Sequence, residues 1–145
     1  MPTDDRTLQA KAAPNIFVIG DAANVPASKA GSVTHFEGET LVENVARYVR
    51  GEPLVEGFDG HANCFIETGY HKALLIDVNY DYEPVPGHYP SGVGLPLLKE
   101  SRLNHLGKLL FESVYWHGLL PGRDMPGIGA PMSTAGKHPA ATGEE

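Results

Sequence analysis

A short apolar run that stops at Gly-Asp, followed by a long helical pattern, constrains this chain more than any other feature. Asn15-Ile16-Phe17-Val18-Ile19 is β-branched and apolar, and it lies between Pro14 and Gly20, so it reads as a buried strand. Gly20-Asp21 ends the run, and residues 24–28 form a loop. A helix is expected from about Ser32 to Arg50, because Gly38, Leu41, Val42, Val45 and Val49 share one face of a 3.6-residue period. Gly51 is the expected stop, and Pro53 blocks continuation.

The rest of the chain is a mixture. Two strands are expected at about Ala62 to Glu67 and Lys72 to Asn79, joined into a hairpin by Thr68-Gly69-Tyr70-His71. Tyr80 to Pro96 holds four prolines and three glycines and reads as an extended connector. A second helix is expected from about Leu97 to Leu120, with Leu103, Leu106, Leu110 and Val114 on one face. From Leu109 onward it is apolar almost all round, until Pro121-Gly122 ends it. Residues 1–13 are polar and read as loose, and the Gly/Pro/Ala-rich tail from Asp124 reads as mobile. The fold class is therefore α+β. Its parts are residues 1–51, 52–96, a helical segment at 97–136, and a flexible tail at 137–145.

Composition narrows the function. A formal charge of -7 argues against nucleic acid as a partner. One cysteine excludes an internal disulfide and a four-cysteine metal site. No histidine pair stands at i, i+4, so no metal is expected. No apolar run reaches the 18 or so residues of a membrane span, and the first residues do not read as a secretory signal. The acidity is concentrated in residues 51–98, with seven acids and one base, whereas Val93 to Arg123 has four bases and two acids.

Four features could hold chemistry. Gly20 lets a ligand approach the backbone, Asp21 can accept hydrogen bonds from hydroxyls, and the following helix start offers free N–H groups. Together they suit a ribityl–phosphate chain, although a bare Gly-Asp-Ala is also an ordinary turn. Cys64 is either a small buried hydrophobe or a reactive thiol. Lys29 by itself reads as a solvated lysine. The terminal helix, with Phe111, Tyr115 and Trp116 beside Lys99, Arg102, Lys108 and Arg123, reads as buried in protein or as lying in a membrane interface.

Larger stretches carry a resemblance. Pro14 to Ala22, continued by Asn24-Val-Pro-Ala-Ser-Lys-Ala-Gly31, resembles the second flavin motif of flavoproteins with two dinucleotide-binding domains. Gly57-Phe-Asp-Gly-His-Ala-Asn-Cys64, Glu67-Thr-Gly-Tyr70 and Tyr115-Trp116 resemble the carboxy-terminal segment of sulfide:quinone oxidoreductases. The resemblance runs from about Thr7 to Arg123. It implies that Cys64 is a redox cysteine beside the flavin. It implies that Gly20, Asp21, Lys29 and Gly31 contact FAD, the last two at the pyrimidine edge, and that Phe111, Tyr115 and Trp116 face quinone and membrane. His35 and His117 are further candidates as proton donors near the quinone.

The G-x-G-x-x-G fingerprint for the ADP half of FAD is absent, as is the family's second reactive cysteine. The chain therefore reads as a carboxy-terminal fragment. The intact enzyme is expected to be a peripheral membrane protein acting on sulfide. This chain alone is expected to bind no FAD, to need the remainder of the flavoprotein, and to self-associate through its apolar helix. The alternatives are a fragment of a flavocytochrome sulfide dehydrogenase or NADH:quinone dehydrogenase, or a non-catalytic interaction or membrane-association module.

Overall fold

A computed structural model describes residues 1–90, 93–123 and 129–137. The described chain is α+β, with two helices and two small antiparallel sheets. It forms two compact units. The first comprises residues 1–63, 78–81 and 129–132; the second comprises the described residues of 64–77, 82–128 and 133–145.

In the first unit, helix α1 (Gly31–Arg50) forms as its pattern predicts. Gly51 stops it in the left-handed conformation at φ 70°, where the Gly51 and Glu52 amides return to the Tyr48 and Arg47 carbonyls. The buried face differs from the apolar stripe. Val42 and Val49 are 72% and 78% exposed, while Val33, Phe36, Glu37, Thr40 and Asn44 are buried. The reason is that α1 packs against irregular chain, whose backbone groups need partners. Asn44 supplies three of them. It donates to the Thr7 and Val55 carbonyls and accepts from the Val55 amide.

The run at residues 15–19 does not form a regular strand. It is tied to the preceding segment by the Gln9–Phe17 bridge and by bonds to Leu8 and Ala10, and Ile16 is 40% exposed. A buried strand needs neighbours on both sides, and the described residues supply only this short partner. Residues 1–13, expected to be loose, are instead packed. Leu8 is fully buried, and Thr3 bridges Ala10.

The hairpin forms as read. Strands β1 (Ala62–Gly69) and β2 (Lys72–Val78) pair, and Tyr70 and His71 turn the chain with φ of 50° and 57°. Two positive φ values define a type I′ turn, which matches strand twist. The connector contains two short strands that sequence reading missed, β3 (Gly87–Tyr89) and β4 (Leu95–Leu97), paired antiparallel. Leu97 therefore ends a strand, and α2 (Arg102–Val114) starts later than expected, capped by the Ser101 hydroxyl on the Asn104 amide. A π-helical turn, Tyr115–Leu119, extends it.

Apolar burial in the second unit is sparse. Among the described residues there, the fully packed apolar side chains are Ala73, Leu75 and Leu97. Most of α2's leucines face outward. The tail also differs from expectation over part of its length: Ala130, Met132 and Lys137 are buried. Residues 124–128 and 138–145 lie outside the described residues.

Candidate functional site

The candidate residues divide between the two units. In the first, Gly20-Asp21-Ala22 forms a single 3₁₀ turn, and Asp21 is exposed. Gly20 has φ 65°, and a side chain there would crowd the Thr34 hydroxyl at 3.2 Å. Its amide donates to Glu37 Oε2 at 2.6 Å, which fixes the turn onto α1. Lys29 is exposed and donates its Nζ to the Ala23 carbonyl at 2.7 Å, bracing the loop before α1. The helix begins at Gly31 without a side-chain cap, and nothing lies within 4 Å of a Cβ placed there. An open, uncapped helix start beside an exposed carboxylate suits a ligand bearing hydroxyls and negative charge. Gly20, Asp21, Lys29 and the start of α1 at Gly31 are thus the residues of this unit that could contact a cofactor.

The second unit holds Cys64, Phe111, Tyr115 and Trp116. Cys64 is the third residue of β1, half-buried and free, with its thiol 3.5 Å from the Phe65 carbonyl. The Phe65 ring meets Phe111 at 6.4 Å, which sets α2 against the hairpin. Tyr115 and Trp116 pack edge to face at 5.4 Å and are both exposed, as are Leu103, Leu106, Leu109, Leu110 and Leu120. Glu67 also pins α2, accepting from His105 at 2.9 Å and lying 3.1 Å from Lys108. The His105 bond first, and Lys108 second, hold its carboxyl below the usual glutamate range.

Neither histidine raised as a proton donor is isolated. His35 lies 3.9 Å from Glu39, and His117 donates to the Ser113 carbonyl. Among the described residues, no cluster of three or more His, Cys, Asp or Glu could hold a metal ion.

Several organising residues escaped sequence reading. Asp59 accepts from the amides of His61 and Met132 and from Asn79. His61 stacks on Phe36 at 4.0 Å and bonds the Gly129 carbonyl. Ala130 is held by Glu39. The repeated glycines of 57–60 marked the region, but nothing in them pointed to a carboxylate that collects backbone amides. Tyr80, between these groups, has its phenol pushed up, mainly by burial.

No family model matches the chain. It is 33% identical over 121 residues to the mitochondrial sulfide:quinone oxidoreductase of Dictyostelium discoideum, covering 83% of this chain and 26% of that protein. The Schizosaccharomyces pombe enzyme of the same name is 31% identical over 79% of this chain and 25% of its own length. The Mus musculus enzyme is 30% identical over 57% of this chain and 18% of its own. A chain in the solved Tetrahymena thermophila mitochondrial ATP synthase F1Fo tetramer superposes with a TM-score of 0.57 at 26% identity, over 81% of this chain and 26% of that one.

These relatives place the chain in the class of oxidoreductase-related proteins. More narrowly, it is a sulfide:quinone oxidoreductase-like chain, spanning about a quarter of the length of the first two curated relatives.

Proposed function

We propose that this chain is the carboxy-terminal part of a flavin-dependent sulfide:quinone oxidoreductase built on two dinucleotide-binding domains. The observation that supports this most is the identity to three such enzymes, reaching 83% of the chain and including the stretch with its single cysteine. Bound FAD would supply a two-electron acceptor, which no side chain here provides. Asp21 would accept from the ribityl hydroxyls, Gly20 would allow the close approach, and Lys29 with the start of α1 at Gly31 would place positive potential at the pyrimidine edge. Cys64 would act as a thiolate that attacks the outer sulfur of a persulfide on a cysteine outside this chain: the new S–S bond forms on Cys64, the old one breaks, and the other cysteine leaves as thiolate. Phe111, Tyr115 and Trp116 would meet quinone at the bilayer surface.

Support for the last role is physical. Among the described residues, no helix is long and apolar enough to cross a membrane. Yet α2 and its π-turn show water a row of leucines and aromatics next to Arg102, Lys108 and Arg123. That pattern suits a helix lying in the interface of a peripheral membrane protein.

Asp21→Ala in the complete enzyme tests the flavin assignment. Loss of a hydrogen bond to a charged group, worth about 1.5–3 kcal/mol, should weaken flavin retention by roughly tenfold or more. Sulfide-dependent quinone reduction should fall with it. Full flavin content after desalting, at the parent's rate, would contradict the assignment.

A second reading rests on the same exposed surface. The chain by itself, with only part of a flavin site, would act as an interaction module through α2.

A further inference from the structure

Glu37 is a buried carboxyl that the proposed chemistry does not use. It sits in the first half of α1 with no solvent exposure. Its Oε2 accepts the Gly20 amide at 2.6 Å, while Oε1 has no hydrogen-bond partner among the described residues. The groups around it do not offer that oxygen a proton. Lys29, from the preceding loop, spends its Nζ on the Ala23 carbonyl. The Tyr80 hydroxyl, from the segment after β2, donates to the Asp5 carbonyl. On α1 itself His35 faces Glu39. Asp21, beside Gly20, adds negative charge nearby.

A charged carboxylate with one oxygen unpaired in such a place is costly, and a neutral carboxyl far less so. We propose that Glu37 is a positioning residue for the Gly20–Ala22 turn that works as the neutral acid: Oε2 anchors the Gly20 amide, and Oε1 takes a proton from solvent. Once charged, Glu37 gains by reaching water, and in doing so it releases the amide that holds Gly20 at φ 65°.

The direction of titration agrees. Burial raises the carboxyl above the ordinary glutamate range, against smaller opposing pulls from the Gly20 amide and Lys29. A group raised on folding stabilises fully below its unfolded pKa and loses that contribution as pH rises through the folded one. The turn is therefore held best in mild acid. That this turn faces flavin rests on the reading above, under which neutral Glu37 keeps a second negative charge away from Asp21 and the ligand. The protonation itself does not depend on that reading.

The test uses this chain without flavin, so its failure is separable from failure of the flavin assignment. Glutamate carboxyls carrying ¹³C are titrated by NMR while the Gly20 amide is followed, in the parent, in E37Q and in E37L. The expected result is that Glu37 titrates above the other glutamates and that the Gly20 amide moves in step with it. In E37Q the amide should stay at its low-pH position at every pH, because a carboxamide oxygen still accepts. In E37L it should be displaced at every pH. Titration of Glu37 with the surface glutamates would overturn the proposal, as would a Gly20 amide indifferent to it. Both can be read in the parent alone, whatever the variants do.

Discussion

Lys137 and Asp77 form an ion pair that is almost closed to solvent, with 2.6 Å between Nζ and Oδ2 and side chains 2% and 0% exposed. Breaking such a pair from one side leaves a charge buried without compensation, at a cost of about 3–5 kcal/mol. Lys137→Met should lower the stability of the chain by that amount in urea unfolding. The double exchange Asp77→Leu with Lys137→Met should recover much of the loss. A single exchange costing less than about 1 kcal/mol, the value of a surface pair, would show that the two side chains are hydrated. Nothing local in the sequence announced this contact, because its partners stand sixty residues apart and Lys137 lies in a Gly-rich stretch. The same holds for Asn44 and Asn104. Each reads as a polar helix residue, yet each is fully buried and clamps the backbone of a neighbouring loop. A polar residue on the inner face of a helix looks identical in sequence to one on the outer face. Only the loop it serves tells them apart.

Elements whose signals are local were legible, and those set by distant packing were not. The end of α1 at Gly51 and the hairpin turn follow from neighbouring residues alone. The start of α2 does not. Pro96 and Leu97 have the composition of a helix entrance, but their backbone is drawn into β4 by pairing with β3. Ser101, a strong capping residue, was the available signal for the true start. The hairpin also offers a test of strain. Tyr70 holds φ 50° and is 92% exposed, so it accepts a left-handed conformation without gaining packing. Asn tolerates that conformation better. Tyr70→Asn should therefore raise stability by about 1 kcal/mol, seen as a higher urea midpoint with unchanged slope. A lower midpoint would mean that Tyr70 stabilises the turn through its ring.

For the whole molecule, the governing fact is apolar surface left in water. Helix α1 shows Val42, Val45 and Val49, α2 shows its four leucines with Phe111, and the π-turn adds Tyr115 and Trp116. The periodicities that marked these faces were real. They recorded faces that the described residues leave uncovered. Under the proposed reading, the rest of a protein of the relatives' length covers some of them, and a lipid interface suits the aromatic residues that follow α2. The family was legible in sequence because its marks are short and ordered along the chain. The division of the described residues into two units was not, since residues 129–132 return to the first unit through Asp59, Glu39 and His61.

The central claim is that Cys64 exchanges sulfur. It is most directly tested by Cys64→Ser in the complete enzyme, comparing flavin bleaching by sulfide with the parent. Oxygen cannot replace sulfur in persulfide exchange, whereas the structural cost of the change should stay within the roughly 0.5–3 kcal/mol of ordinary substitutions. The account predicts a folded protein that retains FAD but has lost most of its sulfide-dependent flavin bleaching and quinone reduction. A Ser variant that bleaches and turns over at the parent's rate would contradict it.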